Sequence, residues 1–345
     1  MSRDFAFIQT SPGRAFVGWG PFEQLPFRRP GYPAFFITDF FLDEPRPWRH
    51  PAEWAEMPLH ELATRFDSQV TPEVNWRPMP AERVAAAIHM AQQSIELGEF
   101  KKIVPVAFEY GQLATQASPW SYVLSRLALL PCGMWAYGFS IGEGGVAGAT
   151  PEVLFRSHGR GYTTMALAGT RPVARSRELL QDPKELREHR LVVDDIVRRL
   201  APFGNVEVGA LGVMSLPGIA HLITPVFFME NGVEPMSFSD MVRRLHPTAA
   251  LGFSPRNEAA ERWLREFDRD VQRRSFGAPF GFEDDDHAQA LVGIRNIEWN
   301  RDQVRIGSGA GVIAESDAAL ELEELRQKRE QVKALFGLVG VEAWT

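Results

Sequence analysis

Apolar residues recur at helical spacing across residues 79–98. Val84, Ile88, Ala91 and Ile95 fall three or four apart, and Gly98 suits the position that ends a helix. The next stretch, 102–110 (KIVPVAFEY), has the β-branched and aromatic content of a strand. Ser118 and Pro119 open another helix by N-cap and first-turn chemistry. Residues 133–171 read as several strands joined by glycine-rich turns, including a hairpin turn within 141–148 (IGEGGVAG). Asp182-Pro183-Lys184-Glu185 marks a helix start. Asp182 caps, Pro183 fits the first turn, and Glu185 stands where a capping box would reach back. That helix is expected to end near Leu200. Further strands follow Gly204, then a helix from Asn257 to about Arg273 and strands over 290–299 and 303–308. A last helix, capped by Ser316, runs to about Phe336. Near the start, a strand over 34–42 lies in a proline-rich stretch, 21–51, whose phenylalanines argue against an exposed linker. Runs of strands interleaved with separate helices predict an α+β fold, with large, mostly antiparallel sheets and helices packed outside.

Composition narrows the function. The chain has 345 residues, 45% of them apolar, which is enough for a large core. Length alone would suggest two domains, but that is a soft prior. The net charge of −7 and the lack of a dominant basic stretch argue against nucleic acid or an anionic membrane as a partner. One cysteine, Cys132, makes no internal disulfide. No apolar run of membrane-spanning length and no leader-like segment is seen, so the cytoplasm is the expected location.

The commonest cofactor and hydrolase signatures are missing. There is no phosphate-binding G-x-x-x-x-G-K-[ST], and GSGAG at 307–311 is not a nucleophile elbow. The eight histidines show no zinc spacing. Carboxylates are more suggestive. Glu321, Glu324 and Lys328 share one face of the last helix, and Glu185 and Glu188 share one on another, with His189 alongside. Spacing alone fits a solvated helix surface as well as a site for a hard cation such as Mg²⁺.

The order of motifs resembles the chorismate-utilising enzymes. This family includes isochorismate synthases, salicylate synthases and the large subunits of anthranilate and aminodeoxychorismate synthases. The motifs are KIVPVA (102–107), ATPEVLF (149–155), LAGTR (167–171), DPKELREHRLVVDDIV (182–197), HLITP (221–225), LHPTAAL (245–251), GIR (293–295) and GSGAGVIAESDAALELEELRQK (307–328). The resemblance covers 79–345, while 1–78 diverges. It implies the chorismate-binding enzyme fold in one catalytic domain over 1–345, chorismate as substrate, and a monomer. It also implies Mg²⁺ on Glu188, Glu321 and Glu324. Arg295 and Lys328 match residues that hold the substrate carboxylates, and Gly309 and Gly311 match a loop whose backbone approaches one. Thr170, His221, Thr248, Ala250 and Phe276 match other pocket positions.

The family's members differ in the nucleophile they add. Lys102 matches the lysine base of water-using members, where ammonia users look different, and Glu152 matches the general acid. Such a base needs a pKa below the ordinary lysine value of about 10.4. A buried acid arrives protonated when its pKa is raised. Ala168 stands where aminodeoxychorismate synthases carry a lysine nucleophile, so a covalent intermediate there is excluded. These matches point to isochorismate synthase. Salicylate synthase, which also eliminates pyruvate, and a protein that binds chorismate without turnover are the alternatives. Two departures stand out. Phe253 replaces an expected glycine in Gly252-Phe253-Ser254-Pro255, and Phe276 replaces a tyrosine in RRSFGAPFGF (273–282).

Overall fold

A computed structural model describes residues 4–66, 71–114, 119–232 and 236–338. Its frame is two large sheets in which every recorded strand pairing is antiparallel. The first has nine strands, in the order Glu53–Pro58, Arg14–Trp19, Phe5–Ser11, Trp135–Ile141, Gly144–Thr150, Asn296–Asn300, Gln303–Gly309, Val106–Leu113 and Val74–Arg77. The second has ten. Gly204–Val208 and Gly212–Leu216 both pair with Ile219–Glu230, and the order continues through Gly161–Pro172, Val153–His158, Ala288–Val292, Pro279–Glu283, Ala34–Ile37, Trp48–His50 and Glu23–Leu25. A two-stranded ribbon joins Lys102–Ile103 to Phe253–Ser254. Seven helices are described: α1 (Leu59–Ala63), α2 (Ala81–Glu96), α3 (Trp120–Leu127), α4 (Pro183–Leu200), α5 (Phe238–Leu245), α6 (Glu258–Val271) and α7 (Ala318–Leu335). Among the described residues no helix is long and apolar enough to cross a membrane.

Strand period places the core. In Phe5–Ser11 the side chains of Ala6 and Ile8 point one way, into the layer between the sheets, while Phe5 and Phe7 point the other way, under the helices. Both faces are covered, which is why the strand reads as a continuous apolar run. Phe16 of the first sheet meets Phe282 of the second with ring centroids 4.1 Å apart. Outside the first sheet, Trp120 of α3 packs edge-on against Phe5 and Trp299. Outside the second sheet lie α4 and α5, while α2 packs on α7 and α6 on the ribbon and the strand Val106–Leu113; apolar faces of all four close the largest core cluster. The expected arrangement of sheets inside and helices outside is the one observed.

Several boundaries differ from the sequence reading, each for a local reason. The 102–110 strand breaks at Val104-Pro105. Lys102–Ile103 joins the ribbon, and Val106 starts a strand of the first sheet. The 290–299 strand breaks at Gly293–Arg295, because Arg295 adopts a left-handed conformation (φ 53°). The 34–42 strand stops at Ile37. Asp182 caps α4 as expected, accepting from the Lys184 and Glu185 N–H groups, but Glu185 does not reach back; its carboxylate binds the Thr170 N–H and Arg171 instead. Asp317, not Ser316, caps α7. The Ser316 hydroxyl accepts from the Ile313 N–H and donates to Glu321. Ser118 lies outside the described residues; α3 begins at Trp120 with Pro119 in the cap position and no side-chain cap. The 141–148 turn is a hairpin, with Gly142 at φ 66°.

Truncating Trp120, the largest fully buried side chain, removes contacts to both Phe5 and Trp299. Trp120→Ala is expected to cost about 3–5 kcal/mol of stability, read as a lower denaturation midpoint by circular dichroism.

Candidate active site

A small, partly open cavity lies where α4 and α7 approach the two sheets. Its wall brings together Glu152, Thr170, Glu188, His221, Ala250, Phe276, Arg295, Gly309, Gly311, Glu324 and Lys328. Lys102 and Thr248 stand behind that wall, against Glu188 and Glu152, and Glu321 lies further back, bonded to Lys184 and Ser316.

Lys102 is held by its backbone on two sides. It pairs with Ser254 across the ribbon, the Lys101 N–H donates to the Ser254 carbonyl, and the Ile103 and Val312 amides exchange bonds on the other flank. This explains the departure at Phe253. Its side chain is buried in the core, and its backbone forms the ribbon that fixes Lys102. The Lys102 side chain is 0% exposed, and its Nζ lies 2.9 Å from Glu188 Oε1. The contact is misaligned as a hydrogen bond, so the ammonium is an ion-pair partner with no aligned acceptor. A Cβ at Gly311 would come within 2.2 Å of Glu188 Oε1 and 3.1 Å of Lys102 Cε. Only glycine leaves room for this pair.

Glu152 lies in the crossover between the sheets, between the first-sheet strand Gly144–Thr150 and the second-sheet strand Val153–His158. Burial pushes its carboxyl up to about 7, against the opposing pull of Thr248, Lys102 and Lys328. Thr248 Oγ1 donates to Glu152 Oε1 at 3.2 Å.

On the opposite wall, Gly169 (φ 79°) makes a bulge that shifts the register between Ala168 and Thr170. The bulge turns the Thr170 N–H toward Glu185 Oε2, 2.8 Å away. His221 Nδ1 faces both Thr170 Oγ1 (3.1 Å) and the Gly169 carbonyl (3.2 Å), while Nε2 faces Arg295 Nη2 at 3.1 Å. Arg295 can only donate, so Nε2 accepts and Nδ1 carries the proton. Burial, reinforced by Arg295, lowers His221 to about 3, which keeps it neutral. Gln331 accepts from the other arm of Arg295. The strained Arg295 backbone is fixed from behind, by the Ala149 N–H on its carbonyl and the Tyr137 hydroxyl on the Ile294 carbonyl. The guanidinium is thus aimed into the cavity by neighbours on four elements.

The acidic side is arranged as lysine–carboxylate pairs. Lys328 Nζ lies 2.7 Å from Glu324 Oε1 and donates to the Gly309 carbonyl at 2.8 Å. Lys184 Nζ donates to Glu321 Oε1 at 2.9 Å. Burial and the neighbouring Glu324 raise Glu321 to about 7, although Lys184 opposes them. Burial opposes ionisation of Glu324 too, but Lys328 outweighs it and holds Glu324 below its ordinary value. Glu188, Glu321 and Glu324 therefore interact, yet among the described residues no three acidic or imidazole groups converge closely enough to hold an ion. Hard carboxylate oxygens gathered near one another are the donor type that a divalent cation takes.

The sequence reading missed Lys184, Ser316 and Gln331, which touch the expected site residues. The i,i+4 step from Lys184 to Glu188 was the one available signal. Phe276 fills its place with an apolar contact: a Cβ at Gly307 would sit 2.5 Å from its ring.

Comparison with known proteins gives the setting. A family profile described as chorismate binding enzyme matches residues 50–337. A salicylate biosynthesis isochorismate synthase of Pseudomonas aeruginosa is 29% identical over 270 residues, covering 73% of this chain and 55% of that protein. Anthranilate synthase component 1 of the same species is 28% identical over 220 residues, covering 60% and 43%. The chain thus spans about half the length of the curated relatives it matches. The solved menaquinone-specific isochorismate synthase of Escherichia coli superposes with a TM-score of 0.81 at 19% identity, covering 97% of this chain and 89% of that one, and so shares its fold. With a profile match over most of its length and a fold and cavity to fit, the chain belongs to the chorismate-binding enzyme family.

Proposed function

We propose that the protein is a Mg²⁺-dependent isochorismate synthase, an isomerase that adds water at C2 of chorismate and expels the 4-hydroxyl. The observation that carries this reading is the pairing of a fully buried lysine, Lys102, with Glu152, a carboxyl pushed up to about 7 beside the same cavity. A base for water and an acid for a departing hydroxyl are what this reaction needs. Ammonia users in the family look different at the Lys102 position.

The residues divide the work. Lys102, as the neutral amine it becomes once its ammonium gives up the ion pair with Glu188 and loses a proton to solvent, takes a proton from water as the water oxygen bonds to C2. The ring electrons shift, the C4–O bond breaks, and Glu152 gives its proton to the departing hydroxyl, which leaves as water. Lys102 ends protonated and Glu152 ionised, and exchange with solvent restores both. Thr248 orients the acid. Arg295 and Lys328 offer two cations to the two carboxylates of chorismate, and neutral His221 braces Arg295 without adding charge. Glu188, Glu321 and Glu324 would hold Mg²⁺ only on giving up their lysine partners and drawing closer together than they stand here; when bound it would supply charge for one substrate carboxylate.

The direct test is incubation with chorismate and Mg²⁺ without ammonia, followed by chromatography with mass detection. A new peak of unchanged mass that disappears with EDTA is expected. Salicylate with pyruvate would move the assignment to salicylate synthase, and unchanged chorismate would sink the reading.

Lys102→Ala is expected to lower kcat/KM by about 10²–10⁴, measured by the same assay. Full retained activity would remove Lys102 as the base.

The raised Glu152 pKa sets a pH dependence. The acid must arrive protonated, so kcat/KM should fall as pH rises through about 7, and Glu152→Gln should abolish that descending limb together with most of the activity. A limb that survives in Glu152→Gln belongs to another group. The sign for stability is the same. The folded state binds this proton more tightly than the unfolded one, so the contribution is full below the ordinary value of 4.5 and lost as pH rises through about 7.

A further inference from the structure

Away from the cavity, a second buried charge cluster joins α7 to the first sheet. Glu109, on the strand Val106–Leu113, is 9% exposed and receives two cations from successive turns of α7. Lys333 Nζ donates to its Oε1 at 2.7 Å, and Arg329 Nε to its Oε2 at 3.3 Å. Arg329, 3% exposed, also donates through Nη1 to Ser308 Oγ at 2.6 Å. Ser308 lines the cavity, and the next residue, Gly309, accepts from Lys328. Two consecutive residues of one strand are therefore gripped by two consecutive residues of α7.

Burying one carboxylate with two cations is a poor way to gain stability, because desolvation offsets the attraction. It is an effective way to fix register. A slip of α7 by one residue moves it about 1.5 Å and turns it about 100°, which takes Glu324 and Lys328 off the cavity. Such a slip also strips Glu109 of both partners, and the cluster forbids that. An apolar contact would tolerate it.

We infer that Glu109, Arg329 and Lys333 are positioning residues that set the register of α7 against the strand Gln303–Gly309, and so hold Glu324 and Lys328 at the cavity. The inference rests on the proposed reaction only where activity is the readout.

The test replaces the cluster with apolar groups of similar size, Glu109→Leu/Arg329→Met/Lys333→Leu, which such clusters generally tolerate without loss of stability. Two readouts are compared with the parent. The first is the distance between spin labels at exposed positions 320 on α7 and 303 on the strand, in a Cys132→Ser background. It should shift by about 1.5 Å or broaden to that extent. An unchanged distribution overturns the inference, whatever the protein's substrate is. The second is the kinetic split. KM for chorismate and the Mg²⁺ requirement should rise roughly ten- to a hundredfold, with a smaller change in kcat, because Lys102 and Glu152 sit on other elements. A merely structural role would lower kcat through a smaller active fraction and leave KM unmoved. If the triple variant does not fold, Arg329→Lys and Arg329→Met decide. The lysine variant should retain a KM several-fold closer to the parent, and equal values overturn the inference. A parent protein inactive on chorismate refutes the proposed reaction, and the label distance then decides the register alone.

Discussion

Three carboxylates are buried around one cavity, and this can stand only because each meets a lysine. Unpaired, the charges of Glu188, Glu321 and Glu324 would repel one another in a medium that screens them poorly. The partners are spread across the fold. Lys102 comes from the ribbon to Glu188 on α4, and Lys184 comes from α4 to Glu321 on α7. Lys328 pairs with Glu324 along α7 and ties that helix to Gly309. Electrostatic need and mechanical assembly are thus met by the same contacts. Once ribbon, strand and both helices are packed together, their arrangement is fixed because any of these buried charges left unpaired would be costly.

The regular elements are interrupted where this assembly requires it. The bulge at Gly169 turns one backbone N–H toward Glu185 and leaves a carbonyl for His221. Arg295 breaks a strand with a left-handed backbone, so that its guanidinium leaves the sheet and enters the cavity. Gly311 is small because Glu188 and Lys102 occupy the space a side chain would fill. Each irregularity carries a local cost, and the surrounding hydrogen bonds hold it in place.

These interruptions also explain what the sequence made legible. Helices α2, α4, α6 and α7 and most strands announce themselves by apolar spacing and by capping residues such as Asp182 and Asn257. Their ends are harder to read, because tertiary partners decide them. Val104-Pro105 and Gly293–Arg295 lie inside apolar runs that read as continuous strands, and the partners that part them are distant in the chain. The site residues became legible through ordered motifs rather than spacing, since a solvated helix face shows the same Glu–Lys pattern as α7. Glu185 shows the limit well. Local rules give it a capping-box role, but Arg171 and the Thr170 N–H, distant in the chain, offer stronger partners. Gln331 was invisible for the same reason and Lys184 nearly so, since each acquires its role from a residue more than thirty positions away.

The two aromatic departures are best understood from where they point. Phe253 is buried behind the ribbon and Phe276 against Gly307 and Phe108. Phe253 therefore adds apolar packing on the far side of Lys102 and leaves the side facing Glu188 unaltered. The candidate acid and base are supplied by elements that are not joined in sequence, Glu152 by the crossover between the sheets and Lys102 by the ribbon. Their relation is set by how firmly the ribbon is seated. Replacing a flexible glycine with a buried phenylalanine raises the cost of moving that ribbon. The substitution that looks most damaging in the sequence thus acts in the structure to stiffen the support of the candidate base.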